Sequence, residues 1–250
     1  MIENILLSKY CDDGKSAVRL NEVQVKALRL HISKLQNNLF AYEEVPCPVC
    51  RSHQDEQISE KDRYGIPMSV VVCQQCGLIR TNPRMTQKSY EDFYATEYRK
   101  LYGGEEAPDE KFFKAQYFHG TQILHSIANA GRSILPGMRV VEVGCGAGGI
   151  LSAFREKGAE VVGCDLGHEF LEFGRKKGLE LVNGFLKDIP LSEKKADLII
   201  YSHVLEHVLD LEKELAVVSE ALSDNGLLYV EWTFALFQPL FYEHPTVCLP

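Results

Sequence analysis

The sequence predicts an α/β protein: a mostly parallel, Rossmann-like sheet, preceded by a small metal-binding module of zinc-ribbon type. Two observations carry this. From Met138 onward, short β-branched runs alternate with amphipathic runs, the signature of a parallel sheet with crossover helices. Upstream, two C-x-x-C knuckles, Cys47–Cys50 and Cys73–Cys76, enclose 22 residues. Composition permits both parts. The 250 residues can bury a sizeable core, and 45% hydrophobic with 25% charged residues is ordinary for a globular chain. The formal net charge of -8 argues against a broad nucleic-acid surface. No apolar run approaches the roughly 20 residues that span a bilayer. The opening "MIENILLSKYCDDGK" lacks the basic lead of a secretory signal. Eight cysteines without such a signal point to a reducing, cytoplasmic setting and to metal ligands or inert thiols.

Four segments are expected. Residues 1–45 carry an amphipathic helical stripe of Leu28, Ile32, Leu35 and Leu39. Residues 46–85 hold the knuckles. Residues 86–135 read as a helical linker or lid; Tyr90, Tyr94, Tyr98 and Tyr102 recur in it at four-residue spacing, a pattern more often core than lid. Residues 136–250 form the α/β domain, with strands near 138–143, 160–164, 179–182, 196–201 and 226–232 and helices near 148–157, 168–177 and 211–222.

Each C-x-x-C turns two thiolates toward one point, and two knuckles complete a tetrahedral site, so Cys47, Cys50, Cys73 and Cys76 are expected to hold zinc. Four cysteine ligands leave no open position, which makes the zinc structural. Gly77 follows the second knuckle, where a permissive backbone helps the turn; Arg51 follows the first, where glycine is more usual. A redox C-x-x-C is the rival reading, but it needs no second copy.

"VVEVGCGAGGIL" (140–151) is a strand running into a glycine loop. Gly144, Gly146 and Gly149 fit a dinucleotide pattern; Gly144, Gly146 and Gly148 fit that of S-adenosylmethionine (SAM) sites. Glu142 decides between them. Its carboxylate would repel a pyrophosphate but suits a ligand with an ammonium and a sulfonium. "AEVVGCDLG" then ends a strand in Asp165, an acid placed to accept from both ribose hydroxyls.

At this point the chain resembles class I SAM-dependent methyltransferases. The segments that carry the resemblance are "VVEVGCGAGGIL", "VVGCDLG" and "ADLIIYSHVLEHVLD", covering roughly residues 138–232. With the knuckles, "CGLIRTNPRM" and "YEDFYATEYRKLY" in front, it resembles the subset with an N-terminal zinc module, many of which serve sugar or surface-polysaccharide pathways, the nucleotide-sugar C-methyltransferases among them. The resemblance implies methyl transfer from SAM to a small, sugar-linked acceptor. It implies that Gly144, Cys145 and Gly146 line the methionine part of SAM, Glu142 orders its amino end, Asp165 holds the ribose and Leu166 packs on adenine. Either Phe185 stacks on adenine with the Leu186 backbone supplying polarity, or Asp188 bends in. Ser202 passes close to SAM and His203 faces the crevice. Glu206 and His207 read as structural, and Cys145 and Cys164 as inert thiols. The tail "FYEHP" places Tyr242, Glu243 and His244 where sugar C-methyltransferases carry a tyrosine, a glutamate and a histidine beside the substrate; His244 is the expected base and His203 its rival.

The family's full sheet has seven strands, the last two forming a hairpin beside the fifth. Seventeen residues follow Thr233, too few for a helix and two strands. The sheet is therefore expected either to lack its last two strands, with the fifth as an exposed edge open to oligomer formation, or to be completed by another segment. Two alternatives stay open: an RNA methyltransferase, and a catalytically incomplete SAM-binding partner subunit.

Overall fold

The computed structural model describes residues 10–104, 106–191, 194–232 and 246–249. Contacts gather the chain into two compact units, Met1–Glu106 and Ala107–Pro250. The sequence reading had four segments; its 86–135 linker divides between the two units.

In the first unit, helix α1 (Glu22–Gln36) opens on a capping box: Asn21 Oδ1 accepts from the Gln24 N–H at 2.9 Å, and Gln24 Oε1 accepts from the Asn21 N–H at 3.0 Å. Its buried positions are Ala27 and His31, with Leu28 and Leu35 packed beside them. Leu39, expected on this stripe, lies beyond the helix end and is exposed, because the chain has already turned out of the helix at Asn37 and Asn38. Strand β1 (Tyr42–Glu43) pairs with β5 (Arg84–Met85). Between them, β2 (Asp55–Lys61), β3 (Pro67–Cys73) and β4 (Ile79–Thr81) form an antiparallel sheet, so the insert between the knuckles is a hairpin.

Helix α2 (Gln87–Thr96) and a π-helical turn (Arg99–Gly103) carry the tyrosine ladder. Tyr94 and Tyr98 stack at 4.3 Å between ring centroids, and Tyr102 donates from its hydroxyl to Asp62 at 2.9 Å. These rings pack against Phe93, Leu101, Tyr64 and Ile66, so the ladder is part of this unit's core. Glu97 is buried between His31 and Lys34.

The second unit begins with α3 (Glu110–Asn129), capped by Asp109. Then β6 (Arg139–Val143), α4 (Gly149–Arg155), β7 (Glu160–Asp165), α5 (His168–Lys176), β8 (Glu180–Asn183), β9 (Ala196–Ser202), α6 (Leu211–Ala221) and β10 (Leu222–Glu231) alternate as expected. The sheet order is β8-β7-β6-β9-β10, all parallel, and the order in which strands are added reverses between β6 and β9. Strand β11 (Thr246–Leu249) adds antiparallel to β10, Glu231 opposite Thr246. Of the two expectations for the edge at the fifth strand, the second fits the described residues: Thr246–Leu249 pairs with Leu228–Glu231 of β10, covering that end of the strand.

Period-two alternation sorts the strands onto two faces. Val140, Leu198, Ile200, Leu227 and Tyr229 join Ile123, Leu151, Phe154 and Leu171 of α3, α4 and α5. Val141, Val162, Ile199, Tyr201 and Val230 join Leu186, Ile189 and Val218 on the other. The result is a three-layer, Rossmann-like sheet.

Candidate functional site

The glycine loop leaves β6 at the switch point of the sheet, where ligands of open α/β sheets bind. Gly144, Gly146 and Gly148 all have positive φ. At Gly144 (φ +70°) a Cβ would also stand 2.4 Å from Val204 Cγ2, so a side chain there is excluded twice. Gly149 serves a different purpose. It opens α4 under α3, where a Cβ would meet the Phe113 carbonyl at 2.5 Å. The two overlapping glycine patterns therefore have separate physical causes: one set shapes the loop, and Gly149 lets two helices touch.

Asp165 holds the loop from the next strand. Its Oδ2 accepts from the Gly146 N–H at 2.8 Å and its Oδ1 from the Gly167 N–H at 2.7 Å. Each carboxylate oxygen has two acceptor directions, so the same group can also accept from a diol. Glu142, only 2% exposed, lies at the end of β6 on the α3 face. A buried carboxylate there favours a cationic ligand over an anionic one.

Leu166 and Phe185 are half-buried beyond β7 and β8. The Leu186 side chain is 1% exposed and belongs to the core, which leaves its backbone as what it can offer a ligand. Asp188 Oδ2 accepts from the Phe185 N–H at 2.8 Å, so it caps its own turn. Cys145 and Cys164 are fully buried, and burial pushes the Cys164 thiol far above its usual range, as expected of inert thiols.

Two α3 residues contribute that sequence reasoning missed. Gln116 Nε2 donates to the Cys145 carbonyl at 3.0 Å, and Gln116 Oε1 accepts from the Gly149 N–H at 3.3 Å, clamping the loop. One turn on, His119 Nε2 meets Glu231 Oε2 at 2.7 Å and Ser202 Oγ at 3.2 Å. Ser202 Oγ also donates to Glu231 Oε2 at 3.1 Å. Glu231, likewise unforeseen, continues the alternation Leu227, Tyr229, Glu231, which puts it on the face of Ser202. Burial pushes its carboxyl up, but the His119 hydrogen bond and the charges of His119 and His203 outweigh this and hold it low. His203 stands at φ +56°, its N–H donating to the Glu231 carbonyl at 2.8 Å. In the turn after it, burial pushes the His207 imidazole down to about 4, with the neighbouring His203 charge acting in the same sense. Tyr242, Glu243 and His244 lie outside the described residues.

In the first unit the sulfurs of Cys47 and Cys76 are 3.5 Å apart and those of Cys50 and Cys73 3.4 Å. All four lie within 4.8 Å of one another. A tetrahedral Zn–S site at about 2.3 Å per bond spaces its sulfurs roughly 3.8 Å apart, so the donor set fits zinc. The two knuckles close alike: the Arg51 N–H donates to the Cys47 carbonyl and the Gly77 N–H to that of Cys73, both at 2.8 Å. Arg51 adopts the left-handed φ of +62° that Gly77 adopts at +77°, so the departure from glycine leaves the turn unchanged.

Residues 141–230 match the family model of a methyltransferase domain. A ubiquinone biosynthesis O-methyltransferase of Hahella chejuensis is 34% identical over 107 residues, covering 39% of this chain and 44% of that protein. A ribosomal protein L11 methyltransferase of Nitratiruptor sp. is 31% identical over 99 residues, covering 38% and 34%. Among solved structures, an S-adenosylmethionine dependent methyltransferase from Mesorhizobium loti is 28% identical with a TM-score of 0.38, covering 43% of this chain and 52% of that one. The chain spans less than half the length of these curated relatives.

Proposed function

We propose, starting from the methyltransferase domain at residues 141–230, that this chain transfers a methyl group from SAM to a small molecule, most specifically a sugar or nucleotide-linked sugar. The observation that carries the cofactor reading is the pairing of Asp165 with the glycine loop at the switch point, beside the buried Glu142. On this reading Asp165 takes the ribose hydroxyls and Leu166 and Phe185 flank the adenine. Gly144, Cys145 and Gly146 border the methionine part, Glu142 faces its ammonium, and Ser202 lies near the sulfonium. When bound, SAM supplies an activated methyl on a cationic sulfur. The buried Glu142 carboxylate at the end of β6 favours that cation.

The sugar-linked acceptor rests on the sequence resemblance, through the two-knuckle module and the tail. Glu243 and His244 are proposed as substrate contact and base, with His203 as the rival. Cys47, Cys50, Cys73 and Cys76 are proposed to hold structural zinc. The relatives' names point to quinone-precursor and protein acceptors, so the test must include more than sugars. Purified protein with labelled SAM is offered nucleotide-sugars, a phenolic acceptor and ribosomal protein. Methyl transfer to a nucleotide-sugar, lost by ~10²-fold or more in His244→Ala with SAM affinity kept, supports the reading. Transfer only to the phenol or the protein overturns the sugar assignment.

A further inference from the structure

Two imidazoles converge on one buried carboxylate where α3 crosses the carboxyl ends of β9 and β10. His119 Nε2 lies 2.7 Å from Glu231 Oε2, and His203 Nε2 lies 4.0 Å from Glu231 Oε1. The three donor atoms fall within 4.8 Å of one another. A divalent ion with N and O ligands at about 2.1 Å spaces them roughly 3 Å apart at right angles and 4.2 Å across, so small ring rotations suffice.

Three further observations separate this cluster from an ordinary hydrogen-bonded pair. The Glu231 side chain is 5% exposed while those of His119 and His203 are 28% and 37% exposed, so the site is dry at its base and open on one side. His203 holds a left-handed backbone that non-glycine residues seldom adopt, and such strain gathers where a side chain must be aimed. A His119–Glu231 hydrogen bond by itself does not require it. One outer partner is in place as well: Ser202 Oγ donates to Glu231 Oε2 at 3.1 Å, and Glu206 stands nearby, its Oε1 3.8 Å from His203 Nδ1.

We propose that His119, His203 and Glu231 bind one divalent transition-metal ion, separate from the cysteine site. Two imidazoles and a carboxylate suit zinc, iron, cobalt or nickel. Three protein ligands leave positions open for water or for a hydroxyl oxygen of the acceptor, whose proton the ion would acidify. This role toward the acceptor rests on the methyl-transfer reading; the metal site does not. A His203 engaged as a ligand is no longer a base, which leaves that role to His244.

The test is a Co²⁺ titration of the full chain as purified, followed by visible absorption, with metal analysis before and after. One further equivalent should bind, giving d–d bands without thiolate charge transfer. His119→Asn and Glu231→Gln should each weaken uptake by more than about 100-fold, since loss of an outer partner alone costs 10–100-fold. Should either variant fail to fold, Ser202→Ala keeps all three ligands and should weaken uptake about 10-fold. No uptake by folded wild-type protein, uptake with thiolate bands only, or equal uptake by His119→Asn overturns the site. SAM is titrated into the same samples. SAM binding without Co²⁺ uptake removes the metal site alone; Co²⁺ uptake without SAM binding removes the methyl-transfer reading and leaves the metal site standing.

Discussion

Asp165 ties down the glycine loop with one carboxylate, accepting from the Gly146 and Gly167 N–H groups, and on the proposed reading the same oxygens accept from a ribose. Asp165→Ala should weaken SAM binding by about 1.5–3 kcal/mol, the range for losing charge-assisted hydrogen bonds, as read by calorimetry. Asp165→Asn keeps one acceptor oxygen and should fall between. Sequence pattern singles out this residue, because an acid ending the second strand after a glycine loop is placed to face a ribose. It singles out His203 too, but not His119 or Glu231, which the fold brings beside it. His119 sits mid-helix in a segment with no motif, and Glu231 looks like the polar end of a strand. Only the crossing of α3 over β10 joins them, and that crossing is a tertiary fact.

The crossing of α3 with α4 depends on small residues at one point. A Cβ at Gly120 would stand 2.8 Å from the Ile150 carbonyl oxygen and 2.9 Å from its Cα. Gly120→Ala gains up to about 1 kcal/mol of helix propensity, but backbone cannot yield as a side chain can, and overpacking costs about 1–3 kcal/mol. We expect a net loss of stability in denaturant titration, together with weaker metal uptake, since His119 is the preceding residue. In the first unit, Glu97 joins α1 to the turn after α2. Burial raises its carboxyl, yet His31 and Lys34 outweigh this and hold it below the usual range. A depressed folded-state pKa stabilises above the unfolded value, and that contribution is lost as pH falls through the folded one. Urea midpoints of the wild type should therefore drop more steeply on acidification than those of Glu97→Gln, which should already be less stable at neutral pH. Equal slopes would mean that the pair is not ionised. The boundaries of α4, α5 and α6 were legible within one or two residues, because the apolar strand runs on either side delimit them. The division of the 86–135 segment was not: helix α2 and helix α3 look alike in sequence, and what each packs against is set by distant residues.

At the scale of the whole chain, two parts are combined: a unit whose four clustered cysteines are proposed to hold zinc, and a parallel sheet whose strand ends are proposed to hold SAM. Metal analysis should give zinc on the four cysteines, and Cys73→Ser should unfold the first unit, because metal-binding energy is folding energy in such sites. A folded, zinc-free protein would contradict it. The sequence left open whether the fifth strand is an edge or is joined by another segment; Thr246–Leu249 joins it, antiparallel to Leu228–Glu231. Among the described residues no helix is long and apolar enough to cross a membrane.

The central claim is that the loop from Gly144 to Gly148 and Asp165 hold a cationic nucleoside cofactor. Calorimetry of the purified chain with SAM, its demethylated product and NAD tests it most directly. The account predicts one site for SAM and for the product, sharply weakened in Asp165→Ala, and no binding of NAD, whose pyrophosphate would face Glu142. Binding of NAD in place of SAM, or SAM binding untouched by Asp165→Ala, would contradict it.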